Sequence, residues 1–182
     1  NIIRPKIAGP NGLWVNSYNG VLFFGQTDME TQNSQMPMQL RFYYNSSAQS
    51  TNYGYGLGFS LGYEMRYHIN EIGGVVIETG DGRTDTFKKF GKEFEAPAGV
   101  FSKVEEYESG KYRLTEKSGE QYFFDDAKYG KVTAMTDRNG NKTTFTYQDS
   151  LLVKVQDAVG HTLNFSYTDG LLRTATASFH KG

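Results

Sequence analysis

The stretch Gly58-Phe59-Ser60-Leu61-Gly62 is the part of the sequence that most resembles a catalytic motif. It matches the G-x-S-x-G nucleophile elbow, in which a strand turns sharply into a helix and exposes the serine hydroxyl. The residues after Gly62 instead alternate between large apolar or aromatic and polar side chains as far as Ile69, which is typical of a strand. His68 is also too close to Ser60 for the usual order of a catalytic triad. We therefore interpret the two glycines as packing residues and predict that the chain is not an enzyme.

Three other patterns could suggest a ligand site, and each lacks a required residue. The glycines of residues 54–58 do not have the spacing of a dinucleotide-binding loop, and no helix follows them. Residues 137–141 begin like a calcium loop, but Lys142 and Gln148 stand where that loop needs a glycine and a bidentate glutamate. The three histidines, at positions 68, 161 and 180, have no spaced metal partner. The sequence thus predicts no catalytic, cofactor-binding or metal-binding residue.

Composition favours an all-β protein. The 182 residues include 13 Phe, 13 Tyr and 21 Gly but only 4 Pro, as expected for short aromatic strands joined by glycine turns. The net charge of −1 gives no attraction to nucleic acid or to an anionic membrane. The absence of cysteine excludes disulfides and thiolate zinc sites. No apolar run approaches the roughly 18 residues of a membrane helix, so we predict no membrane insertion.

Two tandem units, residues 130–149 and 150–169, organise the second half of the chain. They agree at Asp137/Asp157, Gly140/Gly160, Phe145/Phe165 and Tyr147/Tyr167. Each unit predicts a strand, a tight turn and a second strand, and we expect Asn139-Gly140 to supply the positive φ angles of that turn. Period-two spacing places Thr143, Phe145 and Tyr147 on one face. Because one hairpin cannot bury such a face alone, we predict that these aromatic residues pack against neighbouring hairpins.

The remaining elements give three predicted regions. Residues 1–20 form an opening segment rich in turn signals. Residues 21–70 form a glycine- and aromatic-rich β region with strands at 21–24, 38–44 and 53–69, and with loops at 25–37 and 45–52. Residues 71–182 form hairpins, beginning with 75–78 and 84–90 and continuing with 111–115 and 121–124. A third unit begins at residue 170 and stops before its aromatic strand, so we expect further repeats to follow.

The ordered motifs resemble those of the RHS family and its YD repeats. The repeat Asp-x-x-Gly-x-x-x-x-Phe-x-Tyr occurs from Asp137 to Tyr147 and again from Asp157 to Tyr167, with Gly130 and Gly170 opening their units. Upstream, residues 16–28, 42–46 and 53–60 resemble the segment that precedes the repeats in RHS and wall-associated polymorphic toxins. Two departures are Phe59, where the family usually has Trp, and Ser150, which replaces the opening glycine.

The resemblance implies an architecture and a role. Proteins of this kind are bacterial, secreted or displayed on the cell surface, and wind their β-hairpins into an extended, curved sheet that forms an encapsulation shell around a C-terminal toxin. The expected partners are therefore the remaining YD repeats and the toxin domain of the same chain, without a cofactor. A cell-surface or carbohydrate-binding β module, which would use exposed tyrosines to bind a glycan, is the alternative.

Overall fold

The computed structural model describes residues 13–15, 20–30 and 38–179 and confirms the all-β class. Over those residues the chain forms sixteen strands in three sheets, and every paired strand is antiparallel to its neighbour. The described helical structure is one short 3-10 turn, Ser46–Ala48. Nothing helical in the described ranges is long and apolar enough to cross a membrane.

The first sheet contains β1 (Leu13–Val15), β2 (Leu22–Glu30), β3 (Gln39–Asn45) and β4 (Phe59–Leu61) in chain order. The predicted strand at 38–44 is confirmed. The predicted loop at 25–37 is wrong for its first part, because β2 continues to Glu30, which pairs with Gln39. Backbone pairing with β3 supports this polar stretch while most of its side chains remain exposed. Residues 31–37 lie outside the described ranges.

The second sheet contains β5 (Arg66–Ile69), β6 (Val75–Glu78), β7 (Thr84–Phe90) and β8 (Glu93–Glu95). Strands β6 and β7 have the predicted bounds. The predicted strand over 53–69 is only partly correct, because just 59–61 and 66–69 are extended. Gly54, Gly56 and Gly58 take φ values of 96°, 105° and 77°, which turn the chain in a way that most other residues disfavour.

The third sheet, here called the repeat sheet, contains eight strands in strict chain order. They are β9 (Lys103–Glu108), β10 (Lys111–Thr115), β11 (Gln121–Phe124), β12 (Ala134–Thr136), β13 (Lys142–Gln148), β14 (Leu151–Gln156), β15 (Thr162–Thr168) and β16 (Leu171–Ser178). The hairpin of β10 and β11 has its predicted bounds. Each strand pairs with the next, and the sheet does not close on itself.

The turn of the first unit differs from the prediction in one detail. Gly140 has a φ of 85°, but Asn139 is not among the non-glycine residues with positive φ. The Gly140 amide donates to the Asp137 carbonyl at 3.1 Å, and the Asp137 amide donates to the Asn141 carbonyl at 3.0 Å. This is a type I turn followed by a left-handed glycine, so the predicted pair of positive φ angles is wrong.

The turn of the second unit repeats this geometry. Gly160 has a φ of 92°, and its amide donates to the Asp157 carbonyl at 3.3 Å. The Asp157 amide donates to the His161 carbonyl at 3.0 Å. Val159 stands here in the place of the asparagine. The turn therefore needs Gly140 or Gly160 at its left-handed position and does not need the asparagine before it.

The hydrophobic core lies on one face of the repeat sheet and is shared with the other sheets. Its fully buried members include Leu61, Val75, Phe87, Phe124, Leu152, Val155 and Leu163.

The aromatic residues of the units lie on this covered face. In β13 the buried and half-buried positions include Phe145 and Tyr147. In β15 the equivalent positions hold Phe165, which is 6% exposed, and Tyr167, which is half-buried. Thr143 is buried on the same side of β13. The predicted period-two face is therefore confirmed in both units.

Candidate functional site

Residues 53–67, here called the leading segment, contact the starts of the first and third units. Buried charged and aromatic side chains gather at this contact, here called the junction. The Val132 amide donates to the Met65 carbonyl at 2.9 Å, and the Tyr67 amide donates to the Gly130 carbonyl at 2.8 Å. At the start of the third unit, the Leu172 amide donates to the Gly54 carbonyl at 2.7 Å. The leading segment thus holds backbone contacts with the first unit and with the third.

Two aromatic residues of the units meet rings from this segment. Phe145 lies 5.4 Å from Tyr63, and Tyr167 lies 6.4 Å from Tyr55, measured between ring centroids. These tilted arrangements are ones that aromatic pairs favour. We predicted packing against neighbouring hairpins, and the leading segment supplies these ring contacts.

Phe165 is buried in the same core as the other unit aromatics. Its neighbour across the strand pair is Ala175 of β16, which also packs against the core. Phe165 thus packs against the following hairpin, as predicted, and offers no surface to a ligand.

Glu64 and Lys131 form a buried ion pair inside the junction. Their side chains are only 6% and 7% exposed, and the Lys131 Nζ donates to Glu64 Oε2. The Tyr55 hydroxyl donates to Glu64 Oε1 at 3.2 Å. Lys131 Nζ also lies 5.9 Å from the centroids of the Tyr53 and Tyr147 rings. Since removing two charges from water is costly, each member depends on the other to remain buried.

The tyrosines around this pair are held in the neutral form. Burial, reinforced by the negative charge of Glu64, raises the pKa of Tyr55 and of Tyr147 well above the ordinary value. Burial also raises the pKa of Tyr63 to about 12, against the opposing effect of the Gln39 amide that donates to its hydroxyl. Phenols with such pKa values are poor proton donors or acceptors for catalysis near pH 7. The hydroxyls of Tyr55 and Tyr63 take part in hydrogen bonds, and the rings of all three tyrosines pack against the core.

Ser60 lies in β4 and has a structural contact. Its hydroxyl donates to the Gly80 carbonyl at 2.5 Å, and the chain after β4 turns into β5 without a helix. The geometry of a nucleophile elbow is therefore absent at Ser60. Gly58 packs as predicted, because a Cβ there would lie 2.9 Å from the Tyr44 ring.

A groove of about 150 Å³ is lined by the leading segment, including Ser60, and by the turn between β6 and β7. Among its polar side chains, Arg66 donates to Glu78 at 2.9 and 2.5 Å and to the Tyr53 hydroxyl at 2.6 Å. The guanidinium also lies 4.6 Å from the Tyr53 ring centroid. These contacts join the leading segment to the first hairpin.

The predicted repeat residues Asp137 and Asp157 bind the backbone of their own turns. Asp137 Oδ1 accepts from the amides of Asn139 and Asn141 at 2.8 and 2.9 Å. Donation by the Asn141 side chain and by both amides lowers the pKa of Asp137. In the second unit, Asp157 Oδ1 accepts from two backbone amides of its own turn at 3.0 and 2.8 Å. These carboxylates are engaged by N–H donors, and the described ranges contain no group of three or more His, Asp or Glu residues placed to hold a metal ion.

The eight predicted repeat residues therefore divide into two structural groups. Four form the turns and four pack on the covered face: Asp137, Gly140, Asp157 and Gly160 in the first group, and Phe145, Tyr147, Phe165 and Tyr167 in the second. The structure brings the second group, but not the first, to the junction side of the repeat sheet.

The histidines also have local surroundings. His68 is about half exposed and lies 3.4 Å from Glu78. His161 Nδ1 lies 2.9 Å from Asp157 Oδ2, within the same turn. His180 lies outside the described ranges.

Asp85 is a buried acid that the sequence pattern did not single out. It lies in β7, is 9% exposed, and faces Arg83 at 3.0 Å. Burial raises its pKa, and the nearby Glu116 and Asp81 raise it further, whereas Arg83 has the opposite effect. The ionised form of Asp85 is therefore disfavoured in the folded protein, and the protonated form favours folding. The stabilisation by the protonated form is fully present below the unfolded pKa and is lost as pH rises through the folded pKa.

Sequence reasoning also missed Glu64 and Lys131. A signal for Lys131 was present in the repeats, because the same position of the next two units holds Leu151 and Leu171. A charge in place of a leucine sets the first unit apart, but Leu171 is itself 38% exposed, so the replacement alone does not indicate a buried partner. Glu64 had no comparable signal, because it belongs to no repeat.

Part of the chain matches a known family. Residues 12–87 match the family model described as "Domain of unknown function (DUF6531)". The matched stretch runs from β1 into β7 and includes the whole leading segment, but it does not reach the units at 130–169. No curated protein matches the chain.

Proposed function

We propose that this chain is a non-catalytic structural part of an RHS-type YD-repeat protein. It builds part of a β-shell that encloses a C-terminal toxin or effector and helps to deliver it from a bacterial cell, as a secreted or surface protein. The observation that supports this proposal is the strict chain order of the repeat sheet, in which each hairpin pairs with the next and both units turn their aromatic residues to one covered face. Further units can extend such a sheet without a change in its topology.

The test uses the complete natural protein that contains this segment. We expect its coding sequence to continue past residue 182 with units of about twenty residues, and its C-terminal region to resist limited proteolysis. Leu163→Asp places a charge at a position that is fully buried, whereas Asn164→Asp changes the neighbouring residue on the exposed face of β15. The first variant should expose the C-terminal region to protease, and the second should leave it protected. Equal cleavage in both variants, or no further units, would contradict a shell.

The carbohydrate-binding alternative depends on available aromatic rings. Tyr147 and Tyr167 pack against the core, so the tyrosines of the units offer little surface to a sugar. The exposed rings lie apart along the chain: Phe90 in β7, Phe101 in the loop before β9, Tyr107 in β9 and Phe179 after β16. We expect no signal from this chain on a glycan array, and specific binding abolished by Tyr107→Ala would favour the alternative.

A further inference from the structure

The position that follows the opening residue of each unit has two different environments. In the first unit it holds Lys131, which pairs with Glu64. In the second it holds Leu151, which packs so closely on the leading segment that a Cβ at Gly54 would lie 2.8 Å from Leu151 Cδ2. The leading segment therefore presents a carboxylate to one unit and a bare glycine to the next.

The order of backbone donors and acceptors does not by itself decide which unit the leading segment joins. Gly130 also favours the first unit, since a Cβ there would lie 2.1 Å from the Tyr67 carbonyl oxygen and the second unit has Ser150 in its place. Arg66 and Lys131 form an isolated antiparallel bridge. It is flanked by the hydrogen bonds from the Tyr67 amide to the Gly130 carbonyl and from the Val132 amide to the Met65 carbonyl. The second unit has the same order of strands and turns, so it could offer similar amides and carbonyls one unit later. A shift by one unit would place Glu64 opposite Leu151 and leave Lys131 without its partner. Two buried charges would then be unpaired, which is strongly unfavourable.

We propose that the Glu64–Lys131 pair fixes the register of the leading segment by selecting the first unit, residues 130–149, as its docking surface. The pair disfavours the shifted arrangement more than it stabilises the native one, which is how a buried polar pair specifies a unique structure. The partner of this surface is the leading segment of the same chain. The inference does not depend on the proposed shell, since it concerns only how two parts of this chain join.

Stability measurements give the first half of the test. Lys131→Leu introduces the leucine found at this position in the next two units and leaves the buried Glu64 carboxylate without its cation. The urea midpoint should therefore fall. Replacing both Glu64 and Lys131 by Leu should restore the midpoint to the wild-type value or above it. Lys111→Leu is the control, because its pair with Glu108 has side chains 36% and 62% exposed, and this change should have little effect. A Lys131→Leu variant with an unchanged midpoint would overturn the proposal.

A disulfide trap gives the second half, since the chain contains no cysteine. Arg66 lies opposite Lys131 in the native register, so Arg66→Cys combined with Leu151→Cys can form a disulfide only if the leading segment shifts by one unit. Both backgrounds also carry Ser150→Gly, which removes the Cβ that would meet the Tyr67 carbonyl in the shifted register. We expect this disulfide, detected by mass spectrometry, in the background with leucine at positions 64 and 131 and not in the background that retains Glu64 and Lys131. Its absence from both backgrounds, or its presence in both, would overturn the register role. Neither result would bear on toxin enclosure, which the protease experiment tests separately.

Discussion

Gly130→Ala should be far more destabilising than the same change at Gly170, although both glycines open their units. Gly130 has a φ of 64° and Gly170 a φ of 73°, so alanine suffers a similar conformational penalty at both positions. A Cβ at Gly130 would lie 2.1 Å from the Tyr67 carbonyl oxygen, whereas a Cβ at Gly170 would have no atom within 4 Å. The difference between the two variants therefore measures the docking of β5 on the first unit.

The magnitude follows from the contacts. The left-handed conformation costs alanine about 1–2 kcal/mol, and this is the whole expected loss for Gly170→Ala. At Gly130 the backbone must also separate, which weakens the bonds from the Tyr67 amide to Gly130 and from the Val132 amide to Met65. Each contributes about 1 kcal/mol, so the expected loss for Gly130→Ala is about 3–4 kcal/mol before any effect on the Glu64–Lys131 pair.

Thermal denaturation followed by far-UV circular dichroism measures both losses. In a chain of this size about 1 kcal/mol corresponds to a change in melting temperature of roughly 2–4 °C, so the two variants should differ by about 4–8 °C. Equal losses would refute the reasoning, because they would mean that Tyr67 and Gly130 do not approach each other in solution.

Three further predictions concern single side chains. Asp85→Asn removes an acid whose pKa is raised by burial. The wild type loses the corresponding stability between about pH 4 and pH 7, and the variant should not. Urea midpoints of both proteins at the two pH values measure this difference. Asp137→Asn should act in the opposite direction, because the lowered pKa of Asp137 means that its contribution is present above the unfolded pKa and lost as pH falls through the folded pKa. The variant should therefore be less stable than the wild type at about pH 7, and this difference should shrink as the pH falls below about 4. Ser60→Ala should lose about 1 kcal/mol with the bond to Gly80 and leave hydrolysis of a small ester at its wild-type level, and a fall in hydrolysis would revive the catalytic interpretation.

The hairpins were predicted well because the turn and both strands of a hairpin are specified by residues that are close together in the sequence. Strands β6, β7, β10 and β11 have the predicted bounds, since a period-two run on each side of a glycine turn defines both strands and their register. Strand β2 was underestimated because its polar end is extended only through pairing with β3, and such pairing leaves no mark on local composition. The region 53–69 was overestimated for the converse reason, since its aromatic residues alternate but its glycines turn the chain.

The junction was harder to predict because it joins residues far apart in the sequence. The pair of Glu64 and Lys131 spans 67 positions, and the bond between Gly54 and Leu172 spans even more. Periodicity indicates which face of a strand is buried, but not which other segment covers that face. The aromatic residues of the units were therefore correctly placed on one face, while the ring partners Tyr55 and Tyr63 could not be identified from spacing.

Departures from the repeat are of two physical kinds, one that its own turn accommodates and one that needs a partner elsewhere in the chain. At Ser150 the turn has changed to accommodate the residue, because Asp149 alone has positive φ there, whereas Asp169 and Gly170 both do in the next unit. That departure is accommodated within the turn, but the Cβ of Ser150 stands at the position where Gly130 lets the Tyr67 carbonyl approach the first unit. Lys131 cannot be absorbed locally, because its side chain enters the core at a position where a leucine would be neutral. A buried charge needs a partner, and the partner must come from outside the unit, so the residue that breaks the pattern is the one that carries information about assembly.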